Sequence, residues 1–161
     1  MTLSVKASAA FAADPEYFFT HGLQVAQLWE GERRILRALP VALRAHQPLY
    51  IASGHACGKD FVSGGLPLWW QVTRYPAKTI LTGPKAQQVF EITWAELLRH
   101  AGRWRVDLPP LGGRIIHGKY EWDEQHFILA MTTSHSEQLI GKLQGYHSPH
   151  ILVIVTEAQA V

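Results

Sequence analysis

Two stretches of this chain combine residue types that could act on a polyanion. In the first, Ser53-Gly54-His55-Ala56-Cys57-Gly58-Lys59-Asp60, small residues separate an apolar strand-like run, Pro48 to Ala52, from an apolar helix-like run that begins at Phe61. Such a turn can curl successive backbone N–H groups around anionic oxygens, aim a helix N-terminus at them and add the point charge of one Lys. The pattern G-x-x-x-x-G-K-[ST] is missed at both ends, with Ser53 in place of the first Gly and Asp60 in place of the hydroxyl. A Gly-rich turn from strand to helix is also a common structural device, so this stretch does not stand alone. The second stretch is Ile151 to Val155 followed by Thr156-Glu157-Ala158. A carboxylate just beyond an apolar strand suits a group that orients and polarises an attacking water. The structural alternatives are a solvated Lys59 and a Glu157 that complements a helix dipole.

These residues need elements to hold them. Apolar spacing predicts a helix over residues 23–39, ended by Pro40, after a loosely held arm over residues 1–20. Trp29 on that helix could pack beside a purine base, although core packing is the usual duty of a lone Trp. Leu49-Tyr50-Ile51 reads as the first strand, with a helix from Gly58. Gly64, Gly65 and Pro67 fall inside that helix, where a Pro costs about 3 kcal/mol and each Gly about 1 relative to Ala, so a kink or break is expected there. Ala77 to Thr82 reads as a buried strand and Gly83-Pro84 as the turn into the next helix. On that helix Phe90, Trp94, Leu97, Leu98 and Ala101 form an apolar face, and Gly102 is placed to stop it. A hairpin follows, Arg114 to His117 and Tyr120 to Trp122 around a Gly118-Lys119 turn, then a strand over Phe127 to Met131. Residues 132–149 read as a polar loop. Ile151 to Val155, the most apolar run, is expected in the middle of a parallel sheet. Strands alternating with helices imply a doubly wound α/β sheet, in which ligands bind beyond the carboxyl ends of the strands.

Composition restricts the alternatives. At 161 residues, 47% of them hydrophobic and 17% charged, the chain can bury a substantial core, which excludes a disordered tail. A net charge of +2 with Lys and Arg scattered permits a polyanionic partner without requiring one. The single cysteine, Cys57, allows no internal disulfide and no Cys-based zinc site, as suits a reducing cytosol. No run is long enough to span a membrane. Of the nine His, His147 and His150 are the closest pair in the loop and strand region, and with no third ligand in register a metal-dependent hydrolase has little to rest on.

Four segments in order resemble a known family, the ATPase domain of phage and prophage terminase large subunits, which drive DNA into capsids. Residues 53–59 are similar to the family's phosphate loop, S-G-H-G-V-G-K-T, and Thr82 to Val89 to its T-A-P-T-x-x-Q-V segment with Gln88 in register. Gln144-Gly145-Tyr146-His147 resembles Q-G-F-H, and Leu152 to Ala158 resembles the Walker B run L-V-I-V-D-E-A. The resemblance covers Trp29 to the C-terminus. It implies a P-loop NTPase-like parallel sheet with flanking helices, with an arm over residues 1–22 and a partial ATPase domain over 23–161. ATP with Mg²⁺ would be bound and hydrolysed to move double-stranded DNA. Ser53, Gly54, His55, Ala56, Cys57, Gly58, Lys59, Asp60 and Phe61 would contact the phosphate chain, with Lys59 on the β- and γ-phosphates. Glu157 and Lys59 would be the catalytic pair. The implied partners are a portal protein, the terminase small subunit and further copies in a ring, in the host cytoplasm at the procapsid portal and with no membrane.

The departures carry as much information. Asp60 stands where the family has a hydroxyl, and Thr156 where it has the Walker B Asp. A carboxylate about 4 Å from a phosphate charge would cost around 4 kcal/mol at an effective dielectric of 20 unless a cation neutralises it. Taken together, the two changes exchange hydroxyl and carboxylate across the metal, with Asp60 and Thr156 holding Mg²⁺ and the net charge unchanged. The alternative is an altered site that fails to turn nucleotide over. The adenine-site Gln expected just after a Trp is missing, since Glu30 follows Trp29. The chain stops just past Glu157, which leaves the family's coupling motif and nuclease domain unrepresented and implies a gap at the centre of the sheet. Two other function classes compete: a nucleotide-binding interaction module that does not hydrolyse, and a related helicase-like ATPase.

Overall fold

Ala77–Gly83 (β1) is buried along its whole length, as a short apolar run covered on both faces must be. The computed structural model describes residues 5–52, 54, 57–132 and 145–157. On one side β1 pairs in parallel with His126–Thr132 (β4), and on the other in parallel with His150–Val155 (β5). Arg114–Ile116 (β2) and Lys119–Asp123 (β3) add antiparallel strands beyond β4, giving the order β2-β3-β4-β1-β5.

The sheet is therefore mixed, whereas the sequence reading expects a parallel one. The cause is local. His117 and Gly118 both take positive φ, 40° and 77°, in a two-residue turn that can only return the chain antiparallel. The turn sits one residue earlier than the expected Gly118-Lys119.

Two further strand expectations are corrected. β5 lies at an edge of the sheet, with β1 its only pairing among the described residues, and Ile151 and Val153 are each 37% exposed. Pro48 to Ala52 is not a strand, and Tyr50 is 84% exposed. Apolar residues in extended backbone become a strand only where a neighbour accepts their ladder hydrogen bonds, and among the described residues none does.

Helices cover the sheet. Lys59–Thr73 (α4) runs unbroken through Gly64, Gly65 and Pro67, contrary to the expected break. Its glycines answer to packing. A Cβ at Gly64 would come within 2.8 Å of Glu96 Cβ and 2.9 Å of the Leu97 backbone nitrogen, and one at Gly65 would run into the Phe19 ring. The helix offsets Pro67 by burying Leu66, Leu68, Trp69 and Trp70, each worth roughly 1.5–3 kcal/mol. Glu30–Arg44 (α3) likewise passes through Pro40 and buries Leu36 and Leu39, because one proline removes one hydrogen bond while the apolar face continues.

The amino-terminal segment is not loose. Val5–Ala13 (α1) and Pro15–Tyr17 (α2) lead into a π-helical turn over Phe18–Gly22, and Phe18, Phe19 and Leu23 are fully buried. Trp69 Nε1 donates to the Phe11 carbonyl at 2.6 Å, while Arg33 and Arg37 of α3 both pair with Glu16. After β1 a second π-helix, Gln87–Trp94, leads into Ala95–Gly102 (α5), which stops at the expected glycine. Its wider turn breaks the expected apolar face, so Trp94 and Leu97 are buried while Phe90 is 37% exposed. Among the described residues no helix is long and apolar enough to cross a membrane.

Candidate functional site

The two chemically suggestive stretches meet. Lys59 is the first residue of α4, and its Nζ lies 3.3 Å from Oε1 of Glu157, 98 residues along the chain. Both side chains are about a quarter exposed, 27% and 28%, so the pair sits at the surface of the carboxyl end of the sheet and not in its interior. In such a setting an ion pair adds roughly 0–1 kcal/mol, too little to explain the arrangement as a stabilising device.

Each partner is held by a backbone feature. Gly58 caps α4 in the left-handed region at φ 75°, which only glycine adopts without strain, and a Cβ there would collide with the Glu32 carboxylate. Glu32, buried in the first turn of α3, accepts the Trp29 N–H at 2.9 Å, a bond that caps α3 and fixes the carboxylate beside Gly58, the turn before Lys59. On the other side Thr156 N–H donates to the Thr82 carbonyl at 2.8 Å, and the Thr156 hydroxyl donates to the same carbonyl at 3.3 Å. Gly83 allows the approach, because a Cβ there would meet Thr156 Oγ1. Glu157 follows in a turn at φ 55°.

Asp60, in the first turn of α4, accepts a hydrogen bond from Gln88 Nε2 at 2.9 Å. A carboxylate in the first turn also complements the helix dipole, which is its ordinary structural role. No hydrogen bond joins Asp60 to Thr156 among the described residues. The remaining predicted phosphate contacts divide three ways. Gly54 and Cys57 are exposed in the turn; Ser53, His55 and Ala56, with Gln144 and Ala158, lie outside the described residues; and Phe61 turns inward. Its ring meets His100 edge-on at 4.5 Å, and its carbonyl accepts from His100 Nε2 at 2.9 Å, which leaves its backbone N–H as the group it can offer an anion.

Trp29 contradicts the expectation of core packing: its ring is 75% exposed at the start of α3. His147 is exposed and His150 faces the Trp70 ring, and among the described residues no cluster of three His, Cys, Asp or Glu side chains could hold a metal. Mg²⁺ held by one carboxylate together with phosphate oxygens and water needs no such cluster, so Asp60 fits that lighter role. An open concavity of about 410 Å³ lies elsewhere, lined by Gly113, Arg114, Glu121, Trp122, Asp123 and Glu124, and contains none of the residues above. Sequence reasoning passed over Glu32. The signal was its position three residues after Trp29, the N3 place of a helix start. Comparison with family models, characterised proteins and solved structures finds no match to this chain.

Proposed function

We propose that this chain is a nucleotide-binding ATPase domain of the terminase large-subunit type, with ATP and Mg²⁺ taken between the start of α4 and the end of β5. The reading rests above all on the 3.3 Å approach of Lys59 to Glu157, which brings a loop-and-helix lysine and a strand-end glutamate from distant parts of the chain to one place. When bound, ATP supplies the triphosphate and the leaving group. Lys59 then exchanges its carboxylate partner for phosphate oxygens, as a mobile ammonium readily does. That exchange leaves the Glu157 carboxylate available to accept a hydrogen bond from water and align it for attack. The N–H groups at the start of α4 face the anion along the helix dipole, and Asp60 adds a carboxylate for the cation. Double-stranded DNA, a portal protein, a small subunit and a ring of copies are the partners this reading proposes.

One observation favours a second reading, a nucleotide-binding module that does not hydrolyse. Thr156 brings no carboxylate to the end of β5 and spends its hydroxyl proton on Thr82. Equilibrium binding of a fluorescent ATP analogue, together with phosphate release, separates the two. Lys59→Ala is expected to abolish binding. Glu157→Gln is expected to keep binding and to lower phosphate release by roughly 10²–10⁴-fold. Tight binding without release by the unchanged chain supports the module instead. No binding by the unchanged chain, or release indifferent to Glu157→Gln, overturns the ATPase.

A further inference from the structure

We propose that Gln88 is the positioning residue for the cation of this site, acting through Asp60; the proposal rests on the nucleotide reading above. Among the described residues Gln88 is the one hydrogen-bond partner of the Asp60 side chain, its Nε2 donating to Oδ1 at 2.9 Å. An amide N–H is a neutral donor. It fixes the orientation of the carboxylate and leaves its full negative charge and its second oxygen to a cation, whereas a Lys or Arg in the same place would neutralise the group. Outer partners of this kind orient the groups that touch a metal.

The backbone that carries Gln88 is itself held in place. It belongs to the π-helix Gln87–Trp94, an uncommon conformation found often at functional sites. The Gln88 carbonyl accepts from Thr93 Oγ1 at 3.2 Å, and the neighbouring Val89 is buried with its N–H on the Lys85 carbonyl at 3.2 Å. This segment begins just beyond Gly83, the residue whose missing side chain lets the ends of β1 and β5 approach. Gln88 therefore ties the first turn of α4 to the same strand ends that present Thr156 and Glu157.

The test titrates a fluorescent ATP analogue into the whole chain in Mg²⁺ and in EDTA, for the unchanged protein, Gln88→Met and Gln88→Ala, with thermal unfolding to confirm folding. Gln88→Met removes the donor while keeping the length and neutrality of the side chain, and Gln88→Ala truncates a half-buried side chain. The expected result is a loss of roughly 10–100-fold in affinity in Mg²⁺ with either variant and unchanged affinity in EDTA for both. Equal losses in Mg²⁺ and EDTA would mark Gln88 as a tether between π-helix and α4 and overturn the proposal alone. Unchanged affinity in Mg²⁺ does the same. Failure of the unchanged chain to bind the analogue in either condition overturns the nucleotide reading, and this proposal with it.

Discussion

Gly58 shows how one residue serves both shape and chemistry. Its φ of 75° and the Glu32 carboxylate standing where a Cβ would go are separate reasons for glycine. Gly58→Ala should therefore cost about 1–3 kcal/mol, as residues forced into sparse backbone regions do. The two reasons can be separated by a double-mutant cycle in urea. Glu32→Ala removes the obstruction and leaves the strain, so Gly58→Ala should cost about 1 kcal/mol less in the Glu32→Ala background. Simple additivity would mean that the carboxylate does not exclude a side chain there. Lys59 needs this turn, since a shifted Gly58 would carry the first residue of α4 away from Glu157.

At the scale of elements, α4 reverses what helix propensity says of its sequence. Judged alone, Gly65→Ala gains about 1 kcal/mol of helix propensity. In the fold a methyl group at that position enters the Phe19 ring, and overpacking of this kind costs about 1–3 kcal/mol, so net destabilisation is expected in chemical denaturation. Gly102→Ala is the contrast. Nothing lies within 4 Å of its Cβ position, and the change should be neutral or stabilising by about 0.4–1 kcal/mol. If the two variants behaved alike, the close packing of α4 against the aromatic amino-terminal segment would not be what its glycines serve.

For the molecule as a whole, stability should depend on pH through two buried histidines. His100 is fully buried; its Nε2 must carry the proton because its partner is the Phe61 carbonyl, and its buried Nδ1 has no hydrogen-bond partner among the described residues. Burial pushes its pKa below the ordinary 6.5, against the opposing pull of Glu96 and with the help of Arg103 and Arg99. His126 is lowered too, by burial first and in spite of Asp123, and its Nδ1 accepts the Ala77 N–H at 3.1 Å. At neutral pH both are neutral in the fold, while the unfolded chain takes up protons near 6.5. The stability they permit is thus complete above about pH 6.5 and falls as pH drops below it, by at most about 1.4 kcal/mol per pH unit for each group. Urea denaturation at pH 7.5 and pH 5 measures this, and His126→Asn, which keeps an acceptor for Ala77, should reduce the dependence without abolishing it. A dependence unchanged by that substitution would mean that His126 has no part in it.

What was legible in the sequence was local. β1, β4, the end of α5 at Gly102 and the run that became β5 could all be read, because burial period and glycine placement are written in neighbouring residues. The candidate pair Lys59 and Glu157 was legible as residue types in their settings, a lysine at a loop-to-helix junction and a glutamate past an apolar strand. That the two would face each other followed from the doubly wound reading, which sets both beyond the carboxyl ends of strands, but the 3.3 Å contact itself depends on how β5 lies against β1 and on the clearance at Gly83 and Gly58. The places of Pro48 to Ala52 outside the sheet, of β5 at its edge and of the aromatic amino-terminal segment in its core were decided likewise by tertiary structure. An extended apolar run does not specify its neighbour, and which backbone groups find partners is settled only when distant segments pack.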